Sequence, residues 1–437
     1  MLTILVSMVM FLSGCNVWTG GVDTLLSPPK LSKQQQEIYQ ALTNSIDTKI
    51  SLKYPKSGDY LSAFIVANFD DEPTEEAMVF YEKTGITADE TSLRINVLDQ
   101  EDGVWKSVLD RSADGSEIET VIVSKLGESD KISIIVGYSM LQGEKQLDVY
   151  NYSRSDSEST LEENLSDTYS VMSVEDLDND GYNELFLVTG NTVSSYAEAK
   201  VLKLDSNEQY NLTRVAMDSN TTDYVQCLYS VDETSKNIFV DSVLGTGTIE
   251  TEILSLNPND YRLNNVSSYE KVLSVSTVRP SGYVSCDIDG DGIVEIPTIT
   301  TFTGYENLPD TEQLKMTKWL TYQNKSLVVK YYGYYSINDA YFFSLPERWK
   351  DNVTIKLDNN RNDVVFYEYN ENLDSSTKEL LRLTVSNEDN SELIQKNGYQ
   401  LMHVNNGSYY FAKISKNINS NLEISLAEVL FNLKFCS

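Results

Sequence analysis

Two periodicities divide the chain. Between residues 31 and 47, Leu31, Ile38, Leu42 and Ile46 recur at helical spacing and Ser32 with Gln35 has the form of a capping box, so the pattern predicts one helix of about four turns. From about Ser51 onward, short alternating or continuous runs of β-branched and aromatic residues are broken at regular intervals by Asp, Asn, Ser and Gly. That texture predicts strands throughout.

The strand-like part repeats itself. VMSVEDLDNDGYNELFLVTG, around Asp176, and YVSCDIDGDGIVEIPTIT, around Asp287, are plainly alike; SAFIVANFDDEPTEEAMVFYE is a weaker third that sets Asn68 against Asp176 and Glu76 against Glu184. VIVSKLGESDKISIIVGYS, turning near Gly127, and CLYSVDETSKNIFVDSVLG, turning near Glu233, fill the gaps, which gives a period of about 55 residues. Each period carries a second hairpin, such as INVLDQEDGVWKSVL or WLTYQNKSLVVKYYG. Two hairpins make four strands, the content of one propeller blade, and a unit of that size buries its faces only by stacking on its neighbours. The expected fold is therefore mainly β: a β-propeller of four-stranded blades over residues 51–333, with five blades legible and room for up to seven. After about Tyr334 the composition shifts. There a helix-like STKELLRL, further strands and a second capping box, Ser425 with Glu428 ahead of Leu426, Val429, Leu430 and Leu433, predict a small α+β domain over residues 334–437, one or two further blades being the alternative.

The repeats also carry the legible chemistry. Asp176, Asp178 and Asp180 stand at alternate positions, Gly181 permits the turn that gathers them, and Glu184 follows; Asp287, Asp289, Asp291, Gly292 and Glu295 repeat the arrangement. Alternating carboxylates, a closing Glu and one main-chain carbonyl, near Tyr182 and near Ile293, supply most of the oxygens that Ca²⁺ requires. Asn68, Asp70, Glu72 and Glu76 form a weaker copy, with Pro73 where the glycine belongs. An EF-hand would put its last ligand at Leu187 or Thr298 and flank the loop with helices, so a β-hairpin loop is the expected context. These D-x-D-x-D-G-x-x-E segments running into a strand resemble FG-GAP/VCBS repeats, the family of integrin-alpha-like propellers. The resemblance implies a calcium ion that stiffens each loop and does not activate water.

Charge and composition narrow the partners. With 34 Lys and Arg against 66 Asp and Glu, a net charge of -32 repels nucleic acid and anionic lipid. The single histidine, His403, sits in a strand-like run and is read as a half-buried or surface residue; no nucleophile elbow, metalloprotease or phosphate-loop motif is present. Residues 1–15 end in Leu12-Ser13-Gly14-Cys15 after an apolar run and resemble a bacterial lipoprotein signal with its lipobox, which implies lipidation at Cys15 and an extracytoplasmic, membrane-anchored protein; Gly20, Gly21, Pro28 and Pro29 mark 16–30 as a tether, and a monomer is expected. Cys227, Cys286 and Cys436 are expected as buried thiols, at most two of them able to pair. Two function classes follow: a non-catalytic binding module for a protein or glycan, which the missing motifs favour, and a polysaccharide hydrolase or lyase acting through carboxylates and tyrosines in a groove.

Overall fold

A computed structural model describes residues 31–436 apart from 71, 85–92, 141–142, 156–157, 192–195, 232–235, 270–276, 359, 388–390 and 417–418. Cys15 and the tether lie outside these residues. The described residues form two compact units, one drawn from Met1–Pro55, Leu61–Asn68 and Glu72–Asp114, the other from Lys56–Tyr60, Phe69–Asp71 and Gly115–Ser437.

In the first unit, α1 (Lys33–Asn44) begins at the expected place. Ser32 accepts from the Gln35 N–H and the Gln35 side chain accepts from the Ser32 N–H, so two of the helix's orphan donors are satisfied reciprocally. Its Ile38 and Leu42 are buried with Phe64, Val79, Tyr81 and Leu98. These belong to an antiparallel sheet of β1 (Ile50–Leu52), β2 (Phe64–Ala67), β3 (Glu76–Lys83), β4 (Leu93–Glu101) and β5 (Val104–Ser112).

Five further antiparallel sheets follow in the second unit, each built chiefly from consecutive strands. The second sheet is β6 (Glu117–Lys125), β7 (Ile132–Ser139), β8 (Lys145–Arg154) and β9 (Ser159–Thr168). The third is β10 (Val171–Glu175), β11 (Glu184–Thr189), β12 (Glu198–Leu204) and β13 (Tyr210–Ala216). The fourth is β14 (Thr221–Val231), β15 (Lys236–Leu244), β16 (Thr248–Asn257) and β17 (Arg262–Asn265), with β18 (Arg279–Pro280) added to β16. In the fifth, β19 (Glu295–Thr301), β20 (Lys315–Gln323), β21 (Ser326–Ser336) and β22 (Tyr341–Ser344) lie side by side. The sixth holds β23 (Val353–Asp358), β24 (Asp363–Glu368), β25 (Glu379–Ser386), β26 (Gln400–Asn405) and β27 (Ser408–Ile414). β28 (Leu433–Lys434) then returns to pair with β22. The hairpins expected from the repeat form except at 287, where the segment ahead of the turn makes only an isolated bridge, Cys286 with Glu295, and β18 pairs with β16 instead.

Alternation explains why β7 and β11 read as nearly continuous apolar runs. Successive side chains point to opposite faces, and here both faces are covered. Leu185 and Leu187 of β11 pack with Ile135, Leu147 and Val149 of the second sheet, whereas Phe186 and Val188 pack with Ile238, Val240 and Leu254 of the fourth. Phe239 of β15 faces Val294, Ile296 and Leu320 of the fifth sheet in turn. The aromatic residues Phe343, Trp349 and Phe366 then join the fifth sheet to the sixth.

The C-terminal part departs from the sequence expectation at three points. β21 runs through residues 333 and 334, so the expected boundary falls inside a strand, and 334–437 share one compact unit with the sheets before them. ELLRL, read as helical, is the centre of β25, because Leu380, Leu381 and Leu383 are all buried and only an extended chain reaches the partners on both sides. Cys286 and Cys436 form a disulfide in place of two buried thiols. The cause is β28, whose pairing with β22 carries residue 436 to within 5.9 Å (Cα–Cα) of residue 286. The closing helix α2 (Leu426–Asn432) has its Ser425–Glu428 capping box as expected.

Candidate cation-binding loops

The two complete ladders occupy the same place in their sheets. Glu175 pairs with Glu184 across β10 and β11, and Cys286 pairs with Glu295 across an isolated bridge ahead of β19. Glu76 opens β3 in the same way, opposite Ala67. All three glutamates are fully buried, which makes them equivalent positions and supports the alignment read from the repeats. In the weaker copy the Asn68 amide donates to the Glu72 carbonyl at 2.7 Å, and Asp70 belongs to the other compact unit.

In the 176–184 loop the backbone turns in on its own carboxylates. Asn179 and Gly181 both have positive φ, 58° and 90°, the values that fold the ladder onto one centre. Asp176 Oδ2 accepts from the Gly181 N–H at 3.0 Å, Asp180 Oδ1 from Tyr182 at 2.9 Å, and Glu184 Oε2 from Leu177 at 2.8 Å. One oxygen each of Asp176, Asp178 and Glu184 lie within 4.8 Å of one another. Asp176 Oδ1 and Glu184 Oε1 are buried without a hydrogen-bond partner, a cost that a cation at this point would offset. Burial pushes the Glu184 pKa up to about 8, against the pull of the Leu177 N–H.

The 287–295 loop has the same spacing and a different interior. Gly290 and Gly292 take the positive-φ positions. Asp287 Oδ1 accepts from the N–H groups of Asp289, Gly290 and Asp291, and its Oδ2 from Gly292 at 2.7 Å. Glu295 Oε2 accepts from Ile288 at 2.9 Å and Asp291 Oδ1 from Ile293 at 2.9 Å. Asp287, Asp289 and Asp291 also converge within 4.8 Å. For Tyr182 and Ile293, expected to contribute carbonyls, the N–H is the group that contacts the ladder.

Each loop also holds an ammonium group that the sequence pattern does not reveal. Lys203 of β12 places Nζ 3.0 Å from Asp178, 3.0 Å from Asp180 and 3.7 Å from Glu184. Lys330 of β21 places Nζ 2.9 Å from Asp289, 2.7 Å from Asp291 and 2.8 Å from Glu295. Burial lowers the pKa of Lys330, but the hydrogen bonds to Asp291, Glu295 and Asp289 outweigh it and the ammonium stays charged. Burial nonetheless wins at Glu295, whose pKa rises to about 7. The Tyr331 hydroxyl donates to Asp289, and Lys434 lies 4.7 Å over the Tyr331 ring.

A cavity of about 670 Å³ lies elsewhere in the second unit, lined by the first strands β6, β10 and β14 and by Ser57–Tyr60. Its wall mixes polar, aromatic and aliphatic residues, among them Ser173, Gln226, Tyr169, Tyr224, Val171 and Met172. Burial raises the pKa of the lining acid Glu119, but Lys56, at 2.7 Å, and Ser139 outweigh it and hold the carboxyl below its ordinary value. A general acid needs the opposite shift. His403 stacks on Phe435, with ring centroids 4.4 Å apart, and is exposed on its strand.

No family model matches the chain, and no curated protein matches it in sequence. Among solved structures, a hypothetical selenium-binding protein from Sulfolobus tokodaii is 13% identical over 48% of this chain and 54% of its own, with a TM-score of 0.28; the chain thus spans about half of that protein. A GH43 β-1,3-galactosidase solved with galactodeoxynojirimycin is 9% identical over 64% of this chain and 96% of its own, with a TM-score of 0.27. A β-xylosidase is 12% identical over 64% and 98%, with a TM-score of 0.25. At these scores none of the three bears on the fold or chemistry of this chain. Among the described residues, no helix is long and apolar enough to cross a membrane.

Proposed function

We propose that the chain is an extracytoplasmic binding module, lipid-anchored through Cys15, whose four-stranded sheets are blades of an FG-GAP/VCBS-like β-propeller and whose ligand is a protein or glycan. The observation that carries the non-catalytic reading is the state of the cavity between first strands: of its two lining acids, Asp59 and Glu119, Glu119 is tied to Lys56 and kept ionised, while serine, glutamine and tyrosine side chains offer hydrogen bonds and ring faces. Calcium at the 176–184 loop stiffens the third sheet. Asp176, Asp178 and Glu184 would hold it, and the bare Asp176 Oδ1 and Glu184 Oε1 support that assignment. Nucleic acid is not a partner of a surface with this charge.

The test is a glycan array and a pull-down with the chain from residue 31 onward, followed by a search for released sugars with any glycan that binds. We expect retention without turnover, weakened by Tyr224→Ala. Cleavage products would instead establish the hydrolase or lyase reading. Fractionation tests the anchor: the full chain should partition with membranes and Cys15→Ser should release it, whereas a wild type found wholly in the cytosol would refute the anchor.

A further inference from the structure

The two ladders share a spacing, yet the structure assigns them different cations. We propose that the Lys330 ammonium is the permanent cation of the 287–295 loop and that this loop takes no metal, leaving the 176–184 loop as the metal-accepting one of the two. The inference rests on the calcium reading of the 176–184 loop only for its second half.

An ammonium has three N–H donors. At Lys330 each has a carboxylate of its own, Asp289, Asp291 and Glu295, all within 2.9 Å. The remaining acid is engaged as well: Asp287 Oδ1 accepts from three backbone N–H groups and its Oδ2 from a fourth. Calcium entering here would have to eject the lysine from three carboxylates and displace the Tyr331 hydroxyl from Asp289. The chain end opposes that rearrangement: Lys434 covers Tyr331, and Cys436 is bonded to Cys286, the residue before Asp287. Lys203 does less in its loop. It reaches two carboxylates closely and stops 3.7 Å short of Glu184, and two buried oxygens face the centre without a hydrogen bond. A divalent ion there gains the oxygens that the lysine leaves bare.

The experiment counts Ca²⁺ bound per chain by equilibrium dialysis of the wild type and four variants at millimolar calcium. We expect Asp289→Asn to leave the count unchanged, Lys330→Met to raise it by one and Lys330→Arg to leave it unchanged. A lower count in Asp289→Asn, or no gain in Lys330→Met, overturns the inference. Should Lys330→Met fail to fold, the Asp289→Asn result decides alone. Asp178→Asn should lower the count by one; if it does not, the calcium reading of the 176–184 loop falls while the assignment of Lys330 stands.

Discussion

The loops at 176–184 and 287–295 have the same acids at the same spacing, each lead into a strand and end in an equally buried glutamate, yet their interiors differ. Lys203 arrives from β12, the strand hydrogen-bonded to β11, whereas Lys330 arrives from β21, with β20 between it and β19. The first lysine leaves oxygens uncovered; the second leaves none to spare and is backed by the chain end. A ligand ladder therefore specifies a cation without specifying which one. The occupant is chosen by whatever the neighbouring strands bring to the centre.

The comparison breaks most readily at the lysines. Lys330→Met strands a fully buried glutamate and two aspartates without a counter-charge, and we expect a loss of about 3–4 kcal/mol in denaturant unfolding. Lys203→Met should cost about half as much, because its contacts are fewer and longer. Equal losses would erase the distinction. Between the two lysine losses falls Cys436→Ser, which removes the crosslink from the second loop alone and should cost about 2–3 kcal/mol. The calcium response of the 176–184 loop should survive it unchanged.

A control away from both loops separates acidity from loop chemistry. Burial, with Asp218 and Glu252 nearby, raises the pKa of Glu250 on β16 to about 8. The folded state then binds a proton that the unfolded state releases near its ordinary carboxylate pKa, so stability falls as pH climbs from about 4.5 to 8. Glu250→Gln should raise stability at pH 8 by about 1–2 kcal/mol and change little at pH 4, as thermal melts at both values would show. The smallest effect is the ion itself. Millimolar calcium should add about 1 kcal/mol, read as a few degrees in the melting temperature against excess chelator. Asp178→Ala should remove that response and Asp289→Ala should keep it; the reverse pattern would exchange the roles of the two loops.

What the sequence made legible was local. Both capping boxes, Ser32 with Gln35 and Ser425 with Glu428, join groups three residues apart, and the hairpin turns carry their own Asp, Asn and Gly. The acidic loops were visible for the same reason. Lys203 and Lys330 were not, since a lysine inside VLKLD or LVVKYY looks like any strand residue whose head reaches water, and only strand pairing aims it at a carboxylate. The Cys286–Cys436 bond depends on β28 returning to β22 from far along the chain, and the strand state of ELLRL depends on the neighbours that cover it. Neither leaves a short-range mark.

The disulfide also constrains how the molecule can be made. Its two cysteines are separated by 150 positions, so in a chain emerging from its N-terminus Cys286 waits as an open thiol until residue 436 has been added. During that wait the competing sulfur among the described residues is Cys227. Burial pushes its pKa up to about 12, so little of it is thiolate at neutral pH and its attack is slowed. Once the fourth sheet is folded that thiol is a poor competitor, and the bond closes at a contact that the pairing of β28 with β22 delivers.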